Sequence, residues 1–290
     1  MVSRMSFPDE SPELAYRWSG PTSSDAPTVV LLHGLGDSGD CWPDAVRRWS
    51  GTRRVVGVDL LGHGVSPRFT AAQLGAPDPL EEMYAATLAT VQQLASASGP
   101  VALVGHSMGA GIATALVARR PELVRSAVLE EPAWRDPELR VQSHEVVKGR
   151  VGDCRRFVED PEGALADGRR DNPTWPEAEL SPWARAKTEV DLDFLALGVS
   201  TFARPWEELV RAIEVPTLVL VGGGSDLLTE PLLRRARAVD NEHVRIELVP
   251  GAGHCVRRDD PDAYHALVDP FLADPFLADP ARVFGDSDGS

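Results

Sequence analysis

A chain of 290 residues, 43% hydrophobic and 25% charged, has the make-up of a globular protein with a sizeable core. Its 44 acidic against 29 basic residues leave a net charge of −15, which argues against a general attraction to nucleic acid or anionic membrane. No apolar leader stretch opens the chain and no run approaches the ~18 apolar residues of a membrane span, so a cytoplasmic protein is expected.

Weak alternation over 14–18 predicts a strand opening an N-terminal hairpin. The first strong strand is 28–33, followed by a glycine-rich turn at 34–39, helical spacing over 41–49 and a second strand at 54–58. A polar glycine turn at 59–66 (Asp-Leu-Leu-Gly-His-Gly-Val-Ser) precedes an amphipathic helix at 80–97. Residues 101–104 supply the next strand, 107–119 its helix, and 124–129 a further strand that ends at Glu130, Glu131 and Pro132. Such alternation predicts a mostly parallel sheet with helices on both faces.

The alternation then stops. Residues 133–213 are helical in character, bear Trp and Arg, and contain no convincing strand; they are expected to form a helical cap inserted into a core of 1–132 and 214–273. Strand, helix, strand and helix resume at 217–221, 231–239, 244–249 and 261–272. The pentapeptide Phe-Leu-Ala-Asp-Pro occurs at 271–275 and again at 276–280, a short duplication leading into a partly disordered tail within 274–290.

Residues 105–109, Gly-His-Ser-Met-Gly, follow an apolar β-branched run and precede a small-residue helix. This is the nucleophile-elbow pattern, a strand-to-helix turn so tight that a Cβ two residues before or after the serine would collide. Ser107 is thereby exposed at the strand tip, and the Met108 amide is aimed at any oxyanion forming beside it. A serine hydroxyl needs a base, and His254 in the loop 250–254 (Pro-Gly-Ala-Gly-His) has the setting for one. His33 and His63 sit in glycine turns, His106 lies inside the elbow, and His144, His243 and His265 have no comparable position. Cys255, beside His254, reads as a packing thiol. Cys41, Cys154 and Cys255 are too scattered for a disulfide framework or a zinc site.

An acid must orient the imidazole, and two positions compete. Asp226, in the glycine-lined loop 221–226, is preferred; Glu131, at the end of the strand after the elbow helix, is the alternative. Glu130 should face the other way. The second oxyanion donor is expected from the turn 33–36 (His-Gly-Leu-Gly), with the Leu35 amide as the candidate. His63 reads as a loop-locking hydrogen-bonder rather than a metal ligand, so neither metal nor cofactor is expected.

With these segments in this order, the chain resembles the α/β-hydrolase superfamily over residues 14–273, in its serine-nucleophile branch with an inserted cap. Serine at the elbow tip argues against the haloalkane dehalogenase and epoxide hydrolase branches. Glu131 stands where a minority of families, the fungal zearalenone lactonases among them, carry a catalytic glutamate. The resemblance implies hydrolysis of an ester or lactone through an acyl-enzyme, with C–C bond hydrolysis of a ring-fission product as the alternative and a non-catalytic ligand receptor as a third reading. Trp134, Trp175, Trp183 and Trp206, in or beside the cap, suggest either a pocket for a bulky apolar or aromatic small molecule or the packing of the cap's own core and hinges. Arg135, Arg140, Arg150, Arg155, Arg156, Arg169 and Arg170 are available to an anionic substrate or to solvent and ion pairs. No nucleic-acid or membrane partner is expected, and assembly into a homo-oligomer is left open.

Overall fold

In the computed structural model, which describes residues 13–23 and 25–275, the apolar runs become strands β1 (Tyr16–Ser19), β2 (Thr28–Leu32), β3 (Arg54–Val58), β4 (Val101–His106), β5 (Val124–Glu130), β6 (Thr217–Gly222) and β7 (Val244–Val249). They form one sheet in the order β1-β3-β2-β4-β5-β6-β7. Every pairing is parallel except that of β1 with β3. β2, β4 and β6 are buried along their whole length, which is why their sequences are continuously apolar rather than alternating.

Helices α1 (Pro43–Trp49), α2 (Ala71–Leu74), α3 (Pro79–Ser98) and α4 (Met108–Arg119) connect the first strands. Between β5 and β6 lie α5 (His144–Glu159), α6 (Pro161–Asp171), α7 (Glu177–Thr188), α8 (Leu192–Ala196) and α9 (Trp206–Arg211). Helices α10 (Glu230–Ala238), α11 (Val256–Asp259) and α12 (Pro261–Ala273) complete the chain. Side chains of β2 divide by parity: Val30 and Leu32 pack with α3, α4 and α9, while Val29 and Leu31 pack with α1, α11 and α12. The sheet is therefore the middle of three layers, as its double burial requires.

β1 departs from expectation. It pairs with β3, Tyr16 opposite Val58, rather than folding back on β2 as a hairpin. The reason is that β2 is already flanked on both edges, by β3 and β4, so the free edge belongs to β3. Helices α5 to α8 pack on one another around Cys154, Val190 and Leu195, whereas α9 packs against α4. The first Phe-Leu-Ala-Asp-Pro copy ends α12; the second, and the tail 276–290, lie outside the described residues. Among the described residues, no helix is long and apolar enough to cross a membrane.

Candidate active site

Strand β4 runs into α4 through Ser107, which is held at φ 52° and ψ −115°. That conformation costs on the order of 1–3 kcal/mol for a residue with a Cβ and persists only where the surroundings dictate it. They do so here: the Ser107 N–H donates to Glu130 O at 2.9 Å, and Ser107 O accepts from Gly111 and Ala133 at 3.0 Å each. A Cβ at Gly105 would stand 2.7 Å from Gly109 O, and one at Gly109 would stand 2.2 Å from Leu32 O. The two glycines are thus required by close backbone approach, as the elbow pattern implies. Met108 is the first residue of α4, where the helix leaves its N–H groups without intrahelical partners.

His254 sits between β7 and α11 with 41% of its side chain exposed. Its own carbonyl accepts a 3.0 Å hydrogen bond from His106 Nε2. A carbonyl can only accept, so His106 carries its proton on Nε2, and burial keeps that imidazole neutral by lowering its pKa well below the ordinary value. His106 therefore ties the elbow to the histidine loop, a role its place in the motif did not announce.

The structure places Glu131, not the preferred Asp226, against His254. Glu131 is fully buried and follows β5 at φ 48°, and its Oε2 lies 3.4 Å from His254 Nδ1. Its Oε1 accepts from Gly222 N at 2.8 Å, and Oε2 also accepts from the Ser225 hydroxyl. The same Ser225 hydroxyl accepts from Leu227 N at 3.1 Å, closing a turn that leaves the adjacent Asp226 exposed at the cavity rim. Glu130 points away, as expected, to Arg257 Nη1 at 2.9 Å.

The turn carrying Leu35 is fixed by two neutral imidazoles. His33 donates from Nδ1 to Gly34 O and accepts at Nε2 from Leu60 N at 3.0 Å; His63 donates from Nδ1 to Leu61 O and accepts at Nε2 from Gly36 N at 3.2 Å. Burial holds both below their ordinary pKa, which each acceptor role demands. From α7, Lys187 Nζ donates to Gly36 O at 2.8 Å.

Beneath this turn lies a buried ion network with no sequence signature. Arg258 reaches Asp37 at 2.9 Å and Glu179 of α7 at 3.0 Å, and its guanidinium lies 4.7 Å from the Trp175 ring centroid. Burial opposes the Asp37 charge, yet Arg258, Lys187 and Arg257 hold its carboxyl well below the usual range. Nearby, burial pushes the Cys255 thiol up to about 12, which disfavours the reactive thiolate.

Ser107, His254, Leu35 and Asp226 line one cavity of about 220 Å³, together with Ala133, Arg135, Gln142, Arg150, Ser200, Gly224 and Leu227. None of the four tryptophans expected there lines it. Trp134 and Trp206 stack at 5.1 Å and are spent on the α4–α9 contact; the Trp134 indole donates to Thr114. Trp175 and Trp183 meet edge-on at 5.6 Å, and the Trp175 indole donates to Asp259. Their apolar area fills packing seams, and the cavity wall mixes Leu35, Ala133 and Leu227 with polar and charged side chains.

A sequence profile of the alpha/beta hydrolase family matches residues 29–267. The chain is 29% identical over 266 residues to the mouse sn-1-specific diacylglycerol lipase ABHD11, covering 85% of this chain and 81% of the lipase. It is 35% identical over 208 residues to the (E)-2-((N-methylformamido)methylene)succinate hydrolase of Acinetobacter baylyi, covering 67% and 71% respectively. The crystal structure of the enol-lactonase from Burkholderia xenovorans superposes with a TM-score of 0.67 at 25% identity, over 90% of this chain and 96% of the lactonase. The strained serine at the end of the central strand and a match that runs from β2 through β7 lead to one assignment: the chain belongs to the α/β-hydrolase family.

Proposed function

We propose that the protein hydrolyses a small ester or lactone, with Ser107 as nucleophile, His254 as general base and Glu131 as the orienting acid. The observation that carries this reading is the contact of buried Glu131 with His254, which lines the same cavity as Ser107. With Nδ1–H directed at Glu131, His254 presents an unprotonated Nε2 that removes the Ser107 proton as the hydroxyl attacks the substrate carbonyl. The amides of Leu35 and Met108 stabilise the oxyanion, and helix α4 adds its N-terminal partial charge. Collapse of the intermediate expels the alkoxide, which takes the proton from His254; water activated by the same imidazole then cleaves the acyl-enzyme and restores Ser107.

A cavity of about 220 Å³ that none of the four tryptophans lines favours a small substrate over a bulky aromatic one. The lipase and the enol-lactonase among the relatives support an ester or lactone bond. The test is steady-state hydrolysis of p-nitrophenyl acetate and butyrate. The Ser107→Ala variant should lose at least ~10³-fold in kcat/KM; retention of substantial turnover contradicts the reading.

A further inference from the structure

Two arginines of the segment between β5 and β6, Arg135 and Arg150, face the cavity. Arg140, Arg156, Arg169 and Arg170 each have a carboxylate within 4.0 Å. Among the described residues, Arg135 and Arg150 have none, although both line the cavity shared by Ser107 and His254. Arg150, on α5, donates to the neutral amide oxygen of Gln142. The Nε of Arg135 is buried without a hydrogen-bond partner. Asp226 is the cavity's own carboxylate, and it stands at the rim in no ion pair with either arginine.

Half-burying two guanidinium groups at one cavity is costly: each loses part of its hydration, and the two charges repel. The cost is visible in Arg150, whose pKa is drawn below the ordinary arginine value by burial and then by the charge of Arg135. An anion placed between them cancels the repulsion and satisfies the planar donor forks. A carboxylate matches that geometry and suits so small a cavity. In a chain of net charge −15 such a pair is also a local reversal of sign, which discriminates between charged and neutral ligands more than it strengthens general attraction.

We propose that Arg135 and Arg150 bind a carboxylate group of the substrate, so that the protein acts on small acids bearing a hydrolysable ester or lactone. This rests on the hydrolase reading of the same cavity, but its test does not need turnover.

Binding is measured by calorimetry on the Ser107→Ala variant, with glutarate, its neutral counterpart glutaramide, and inorganic phosphate as probes. Glutarate should bind at least ~10-fold more tightly than glutaramide, and adding Arg150→Gln or Arg135→Gln should erase that preference. Equal binding of the two probes, or an undiminished preference in both Gln variants, overturns the proposal; tighter binding of phosphate than of glutarate overturns the carboxylate assignment. Should a Gln variant not fold, Arg150→Lys keeps the charge and loses the fork, and should retain only part of the preference. In the wild-type protein, mono-p-nitrophenyl glutarate should exceed p-nitrophenyl pentanoate at least ~10-fold in kcat/KM. Glutarate preference without hydrolysis of either ester would sustain the carboxylate site while removing the catalytic reading.

Discussion

Glu131 reaches His254 from the end of the strand beside the elbow, Oε2 to Nδ1 at 3.4 Å, and does so by leaving β5 at a positive φ of 48°. Two further donors, Gly222 N and the Ser225 hydroxyl, fix its carboxylate from the β6 side. Replacing Glu131 by Gln keeps the size but offers an amide that can hold the wrong imidazole tautomer. The Glu131→Gln variant should lose ~10³–10⁴-fold in kcat, and Asp226→Asn less than ~10-fold, in p-nitrophenyl ester hydrolysis. The reverse ranking would return the acid role to Asp226.

Ser225 should matter through Glu131. Its hydroxyl donates to the carboxylate and accepts from Leu227 N, so Ser225→Ala removes a hydrogen bond at a buried charge and loosens the turn. A loss of about 1.5–3 kcal/mol in unfolding free energy is expected by denaturant titration, together with reduced kcat.

The Arg258 network ties α7 to the turn that carries Leu35 through Asp37. Removing one partner leaves an uncompensated buried charge, so Arg258→Ala should destabilise the protein by about 3–5 kcal/mol. The same variant should lower kcat, because Asp37 is two residues from Leu35. Denaturant unfolding checks the first effect and ester hydrolysis the second.

Acid sensitivity follows from His33, His63 and His106, each held below its ordinary pKa by burial. In the unfolded chain these imidazoles gain protons as pH falls through about 6.5, while the folded state resists protonation. The unfolded state then binds more protons, so stability drops with decreasing pH. The melting temperature should be lower at pH 5.5 than at pH 7.5, and His63→Gln should flatten that slope. A melting temperature independent of pH over this window would contradict the neutral tautomers assigned above.

Trp206 separates packing from binding. Stacked on Trp134 and outside the cavity wall, it should cost about 3–5 kcal/mol of stability when changed to Ala, while KM for a small ester changes less than ~3-fold. A KM effect without a stability effect would restore the aromatic pocket.

What could be read from the chain follows the range of the forces involved. The buried strands were legible because a strand covered on both faces is apolar at every position, as in β2 and β4. The elbow was legible because Gly105 and Gly109 answer a steric demand of the turn itself. Which carboxylate faces His254 was not, since that depends on which one a distant turn admits. The hydroxyl of Ser225 turns Asp226 outward and grips Glu131 across the β5–β6 boundary. Whether the tryptophans line the cavity or pack the cap was not legible for a related reason: their concentration in and beside one segment shows apolar supply but not what each ring meets. Here Trp134 meets Trp206, and Trp175 meets Trp183. The pairing of β1 escaped because strand neighbours are chosen by free edges, which local alternation does not encode.

The central claim is that Ser107 is the nucleophile activated by His254. Treating the protein with a fluorophosphonate and locating the adduct by peptide mass spectrometry tests it directly. One adduct is expected, on Ser107, formed far more slowly in His254→Ala and absent in Ser107→Ala. An unmodified Ser107 in active wild-type protein, or equal labelling in His254→Ala, would contradict it.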